Sequence, residues 1–417
     1  MNTSQSLGVY VSVPFCRAKC SFCNFASGVG KAGEIEAYVA RLCAEIRASA
    51  AATAERLGAR LPRAVDTVYF GGGTPSLLSP RQLQQIFATL RRSFDLAADA
   101  EITLEAAPGQ IAPDVLDAAM ALGVNRISLG VQSFVDRECA AVGRLHSGEE
   151  CLREILRLRA AGVAEVGADL IAGLPYQTAE SWEHSLDAAV GLAAEGTLTH
   201  LSVYLLEIDE DSRLGQEVMA GGQRFHAHGV PQEELAVELY ERACERLPAA
   251  GLAQYEISNF ARQGSRSRHN VKYWQREPYL GFGLDAHSML RTGTGAVRFA
   301  NADELAGYMG RSGAAGLSTA ALPTFGREDT SVVITRVGER EAFEETLFLG
   351  LRMCDGIATG WLRAEFRREW VVLFEDAARE LAAEGLMLED DGYWCLTQRG
   401  RLVSNDVFGA LLDVVPA

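Results

Sequence analysis

The chain has 417 residues, 48% of them hydrophobic and 23% charged, with a mean hydropathy of +0.02. That is enough apolar mass for two to three packed domains and excludes a disordered chain. The net charge of −16, from 39 basic and 55 acidic residues, repels phosphate backbones, so nucleic acid is not an expected partner.

Residues 1–8 carry no basic n-region and no apolar h-region. Apolar runs such as 8–15 and 371–374 are far too short to span a bilayer. The expectation is a cytoplasmic protein with no integral membrane segment and with peripheral membrane contact left open. Its thiols are expected to stay reduced.

A first strand is expected over 9–13, ended by Pro14. Directly after it come Cys16, Cys20 and Cys23, in C-x3-C-x2-C spacing. Three thiolates on one short loop converge on a single metal or cluster. Structural zinc takes a fourth ligand close by. None is near, because the next cysteine, Cys43, falls in an expected helix over 33–55. A cubane cluster held by three cysteines instead leaves one iron open to a chelating ligand. The other cysteines (Cys43, Cys139, Cys151, Cys244, Cys354 and Cys395) are scattered and read as small buried apolar residues.

Strand patterns recur at 65–70, 101–105, 126–130, 165–170 and 201–204, with helical patterns at 80–93, 113–122, 149–161 and 178–194 between them. Strand alternating with helix implies a parallel sheet with right-handed crossovers. In such folds ligands sit at the C-terminal strand ends. Each exit carries a polar or special residue: the cysteine loop, Gly71-Gly72-Gly73-Thr74, Glu105, Gln132, Asp169 and Tyr204. The glycines let backbone approach a ligand, a carboxylate suits ribose hydroxyls, and the Arg144 fork suits a carboxylate.

These segments carry a family resemblance. The cysteine triplet after a first strand resembles the radical S-adenosylmethionine (SAM) signature. Tyr10-Val-Ser-Val-Pro-Phe-Cys, Gly-Gly-Gly-Thr-Pro-Ser, Ile102-Thr-Leu-Glu-Ala-Ala-Pro-Gly, Ser128-Leu-Gly-Val-Gln-Ser-Phe and Asp169-Leu-Ile-Ala-Gly-Leu-Pro narrow it. They resemble the coproporphyrinogen-oxidase-like branch, which holds both oxygen-independent coproporphyrinogen III oxidases and HemW-type haem chaperones. The resemblance runs from Tyr10 to about residue 400. It implies an α/β fold: a partial (β/α)6 barrel with a C-terminal α+β domain. It also implies a [4Fe-4S] cluster on Cys16, Cys20 and Cys23. SAM would be bound by Tyr10, Phe22, Asn24, Gly72, Gly73, Thr74, Glu105, Gln132, Arg144 and Asp169.

Three features separate the chain from the oxidases. The further cysteine of the oxidase loop is Phe25 here, the loop begins at residue 16 where the oxidases carry a long arm before it, and Arg268-His-Asn-Val-Lys-Tyr-Trp274 matches the H-N-x-x-Y-W motif of the HemW type. That motif makes haem an expected ligand. His269 could ligate iron while Tyr273 and Trp274 pack on porphyrin, with Arg266, Arg268 and Lys272 near propionates. A purely structural motif is the competing reading. His226 and His228 form a second imidazole pair, read as loop residues.

The stretch 280–288 reads as a glycine-rich turn, 310–322 as a loop, 361–383 as one helix, and 386–396 as a hairpin around Asp391-Gly392. Helices followed by a hairpin suggest a winged-helix-like unit. Residues 361–403 hold six Arg against nine Asp or Glu, the wrong balance for a DNA reader. The expected domains are 1–235, 236–325 and 326–417. The expected function is a haem chaperone serving acceptor apo-proteins, with an electron donor as a further partner. A coproporphyrinogen oxidase and a tRNA- or protein-modifying radical enzyme are the alternatives.

Overall fold

A computed structural model describes residues 6–56, 62–292, 295–310 and 332–413. Six parallel strands form its centre: β1 (Leu7–Val13), β2 (Ala64–Gly72), β3 (Asp95–Ala106), β4 (Arg126–Gln132), β5 (Glu165–Ala172) and β6 (His200–Leu205). They pair in chain order. The helices between them are α1 (Ala32–Arg56), α2 (Pro80–Ser93), α3 (Pro113–Ala121), α4 (Asp136–Ala141), α5 (Gly148–Ala160) and α6 (Ala179–Ala194).

Period-2 alternation decides which face holds the site. In β1, Leu7, Val9, Val11 and Val13 are buried in the main core, as are Ile127, Leu129 and Val131 of β4. These apolar faces meet the helices. The alternate residues turn into the lumen and are polar or small: Tyr10 and Ser12, then Ser128, Gly130 and Gln132.

The sheet does not stop at six strands. Beyond the barrel come α7 (Arg213–Met219), α8 (Glu233–Arg246), β7 (Ala253–Gln254), β8 (Asn259–Ala261) and α9 (Arg268–Trp274). They are followed by β9 (Tyr279–Phe282), β10 (His287–Thr292), β11 (Gly295–Asn301), α10 (Leu305–Met309) and β12 (Val332–Val337). The full order is β12-β11-β10-β9-β1-β2-β3-β4-β5-β6-β8-β7. The expected turn at 280–288 is therefore corrected: its first part is β9, parallel to β1. Gly281 hid it. A Cβ there would stand 2.3 Å from the His287 carbonyl oxygen, so close backbone approach forces a residue that reads as a strand breaker. Leu239, Tyr240, Leu280, Phe282 and Tyr308 pack into the same core as the barrel.

The C-terminal unit has its own core of Phe343, Leu347, Leu351, Trp370, Phe374 and Trp394. It comprises α11 (Glu339–Gly350), β13 (Ile357–Ala358), α12 (Thr359–Glu365), α13 (Arg368–Ala383), β14 (Met387–Asp390), β15 (Tyr393–Leu396), α14 (Gln398–Leu402) and α15 (Ser404–Asp413). The single helix expected over 361–383 is two, broken where Phe366 turns extended. The hairpin stands where expected, with Asp391 and Gly392 both at positive φ. The expected 310–322 loop lies outside the described residues from 311 onward.

Candidate cluster and nucleoside site

The loop after β1 is held by backbone bonds that do not involve its cysteine side chains. Cys16 N–H donates to Gly28 O at 2.9 Å, Gly28 N–H to Pro14 O at 2.9 Å, and Ser21 N–H to Val142 O at 3.0 Å. The glycine turn after β2 clamps it from beside. Gly73 N–H donates to Val13 O at 2.9 Å and Thr74 N–H to Phe15 O at 2.8 Å. A Cβ on Gly73 would meet three backbone atoms of Val13 and Phe15 at 2.8 Å. This glycine serves the approach of protein backbone, where the sequence suggested approach of a ligand.

One cavity of about 460 Å³ opens at the C-terminal strand ends. Cys16, Cys20, Cys23, Phe22, Asn24, Gly72, Gly73, Thr74, Glu105, Gln132, Arg144 and Asp169 all line it. Tyr10 does not. Its ring stacks on Tyr69, with centroids 6.1 Å apart, and faces a second cavity. Asp169 lies three residues inside β5 rather than at its end, and reaches the cavity because β5 alternates inward at 169 and 171.

The sulfurs face separate neighbours. Thr74 Oγ1 donates to Cys16 Sγ at 3.6 Å, Arg144 Nη1 to Cys20 Sγ at 3.4 Å, and Cys23 Sγ lies 3.9 Å from Ser27 Oγ. Among the described residues no three His, Cys, Asp or Glu side chains are grouped closely enough to hold a metal ion. The donor set still fits a cluster with an open corner: three free thiols on one cavity wall, beside cationic and hydroxyl donors that suit thiolate sulfur. Arg144 is placed by the turn before α5, whose start is fixed by the Ser147–Glu150 capping box. Its Nη2 holds Gly130 O, and its buried Nε has no partner. That donor is free for a carboxylate.

Two carboxyls stand at the cavity floor. Tyr69 OH donates to Glu105 Oε1 at 2.7 Å. Burial, with the nearby Asp169 charge adding, pushes Glu105 up to about 7. Burial pushes Asp169 up to about 6, against the lowering pull of Ser202, Arg144 and Ser128. A raised acid takes up its proton earlier as pH falls, whereas a cationic or hydroxyl-bearing ligand prefers carboxylates. SAM affinity should therefore be near full at about pH 8, halved near pH 7 and down about tenfold by pH 6, where Glu105 is mostly protonated. Equilibrium dialysis at pH 8 and pH 6 checks this; equal affinities would contradict it.

Sequence reasoning missed Ser128 and Gln110, which also line the cavity. Inward alternation with Gly130 and Gln132 would have found Ser128. Nothing in the sequence signals Gln110, whose buried Oε1 lacks a partner.

The second cavity, about 400 Å³, shares Gly72 and Phe25 with the first. Its other walls include Tyr10, Tyr273, Trp274 and Tyr279, with Met289, His287, Arg276 and Arg298. Tyr273 and Trp274 are thus on a cavity, while His269 is not. Thr67 Oγ1 lies 2.9 Å from His269 Nδ1 and Tyr273 OH 2.8 Å from its Nε2. Burial holds its imidazole down at about 3, so it is a neutral spacer between β2 and Tyr273. Arg266, Arg268 and Lys272 pair instead with Asp355 and Asp66. The guanidinium groups on the cavity are those of Arg276 and Arg298.

Residues 10–189 match the model of the Radical SAM superfamily, and residues 338–403 that of the HemN C-terminal domain. Over 404 residues the chain is 33% identical to "Heme chaperone HemW" of Bacillus subtilis, covering 97% of this chain and 98% of that one. The chain belongs to the HemW family of radical SAM proteins. It is also 33% identical over 398 residues to the mouse mitochondrial radical S-adenosyl methionine domain-containing protein 1, covering 93% and 83% of the two chains. The coproporphyrinogen III oxidase HemN of Escherichia coli shares the fold, with a TM-score of 0.76 at 23% identity, covering 98% of this chain and 90% of that one. HemW-family membership implies a [4Fe-4S] cluster and SAM. When bound, the cluster would supply single-electron chemistry, and Cys16, Cys20 and Cys23 are the residues that would hold it. No helix among the described residues is long and apolar enough to cross a membrane.

Proposed function

We propose that the chain is a haem chaperone that binds haem and delivers it to acceptor apo-proteins, with the cluster and SAM as companions. Its likeness over almost the whole chain to proteins named heme chaperones supports this reading. The observation that carries it is the second cavity. A porphyrin is a flat apolar ring edged by carboxylates. That cavity offers five aromatic rings and two guanidinium groups, the matching chemistry. Arg298 Nη2 contacts Glu345 at 3.2 Å, and its buried Nε lacks a partner, leaving a donor for a propionate. His269 acts from behind, fixing Tyr273. The imidazole that lines the cavity is His287, exposed beside the iron-ligating type Met289.

The test is anaerobic reconstitution followed by haem titration, with and without SAM, and then transfer to an apo-acceptor. One haem per chain with a shifted Soret band is expected, and a flat titration would refute the reading. A charge-assisted hydrogen bond is worth about 1.5–3 kcal/mol. Arg298→Ala should therefore weaken haem binding by about tenfold or more, read from the same titration. The position of the extra oxidase cysteine is held by Phe25, on the wall between the two cavities. An anaerobic protoporphyrinogen assay is accordingly expected to show no turnover.

A further inference from the structure

Apart from both cavities, three side chains bring donor atoms together on one loop cluster. Tyr176 follows β5, and His226 and His228 lie in the turn Arg224–Gly229. The Tyr176 hydroxyl is 2.9 Å from His226 Nδ1 and 3.2 Å from His228 Nε2. Around a tetrahedral ion with bonds of about 2.0–2.2 Å, neighbouring donors sit about 3.4 Å apart. The oxygen stands slightly inside that spacing from both nitrogens, and the two imidazole centroids are 6.4 Å apart, so the rings turn toward each other as an ion binds. Both imidazoles are exposed, so an ion reaches them from solvent.

The backbone is held in this arrangement against its preference. Tyr176, Phe225 and His226 have φ of 69°, 54° and 59°, left-handed values that non-glycine residues avoid. Strain of this kind collects where geometry serves a ligand. Tyr176 N–H donates to Gly229 O at 2.6 Å, locking the two loops together. The Arg137 guanidinium stands 4.1 Å from the Tyr176 ring centroid and complements the negative charge of a phenolate.

We propose that Tyr176, His226 and His228 bind a divalent transition-metal ion of the zinc class, with a fourth position open. The phenol proton leaves to solvent as the metal–oxygen bond forms. Both imidazoles ligate as neutral rings, each keeping its proton on the other nitrogen. Haem iron offers its two remaining positions on opposite faces, so three adjacent donors suit a free ion rather than haem. The site also braces the cluster loop. Ala227, Leu174 and Ile171 share an apolar cluster with Phe22, and in α7 Leu214 N–H donates to Ser21 O at 2.8 Å.

Cobalt(II) titration of tag-free, full-length protein tests the site. It is done once with the cluster loaded and once on Cys16→Ser/Cys20→Ser/Cys23→Ser, so that cluster thiols cannot contribute. One cobalt per chain is expected, with visible d–d absorption but no sulfur charge-transfer band, displaced by zinc and releasing about one proton. His226→Asn/His228→Asn, and separately Tyr176→Phe, should each weaken binding at least tenfold. Tyr176→Phe removes one oxygen only and guards against misfolding in the double variant. Equal affinity in both variants, or a thiolate band in the triple-serine chain, overturns the proposal. Loss of haem binding without loss of cobalt binding in the histidine variant does so too.

Discussion

Cys16→Ser should abolish cluster assembly: from about four iron and four sulfide per chain, anaerobically reconstituted protein falls to near zero, and the brown colour goes with it. Only three thiols line the cavity, and a serine hydroxyl is a hard, weakly acidic substitute for thiolate at an iron site. The same is expected of Cys20→Ser and Cys23→Ser. The fold should survive, because the loop hangs on backbone bonds from Cys16, Ser21, Gly28, Gly73 and Thr74 that the change leaves in place. Circular dichroism separates loss of cluster from loss of fold. Haem titration of the same variant should be little changed, because the second cavity has its own walls apart from Phe25 and Gly72. Full iron content in the serine variant would remove Cys16 from the ligand set.

The second large effect lies away from both cavities. Arg126 Nε and Glu101 Oε2 pair at 3.1 Å with side chains only 6% exposed. Glu101 also accepts the N–H groups of Arg268 and His269, at 3.1 and 3.0 Å, which start α9. Arg126 Nη2 holds the carbonyls of Ser265 and Arg266. The pair therefore ties β3 and β4 to the helix that carries Tyr273 and Trp274. Arg126→Ala strands a buried carboxylate, and breaking such a pair costs about 3–5 kcal/mol. Urea unfolding should show that loss, with weaker haem binding as α9 loosens. The double change Glu101→Gln/Arg126→Met removes both charges and should recover most of the stability. A loss under about 1 kcal/mol in Arg126→Ala would show the pair to be far weaker than its burial implies.

The barrel and its mouth were legible because the chain writes them in short range. Cys16, Cys20 and Cys23 announce themselves by spacing, and the six parallel strands by alternation with helices. The extension was not legible, for physical reasons. β9 contains Gly281, needed for close backbone approach. One partner of His269 is long-range, since Thr67 lies 202 positions away. The sequence motif marked the right helix but not which of its side chains face a cavity. Two of the three haem residues named from it, Tyr273 and Trp274, do; His269 points into the protein. Arg298 could not be chosen over Arg268 from sequence, because only β11 pairing with β10 places it on the concave face.

Gln132 closes β4 with a φ of 69°, a conformation that a non-glycine residue holds at a cost of about 1–2 kcal/mol, and it does so on the wall of the first cavity. Any programme that bred this molecule for heat resistance alone would drift toward glycine or asparagine there. It would return a sturdier protein whose first cavity has lost or shortened the Gln132 amide on its wall, so selection for ruggedness and selection for that polar lining pull this one position in opposite directions.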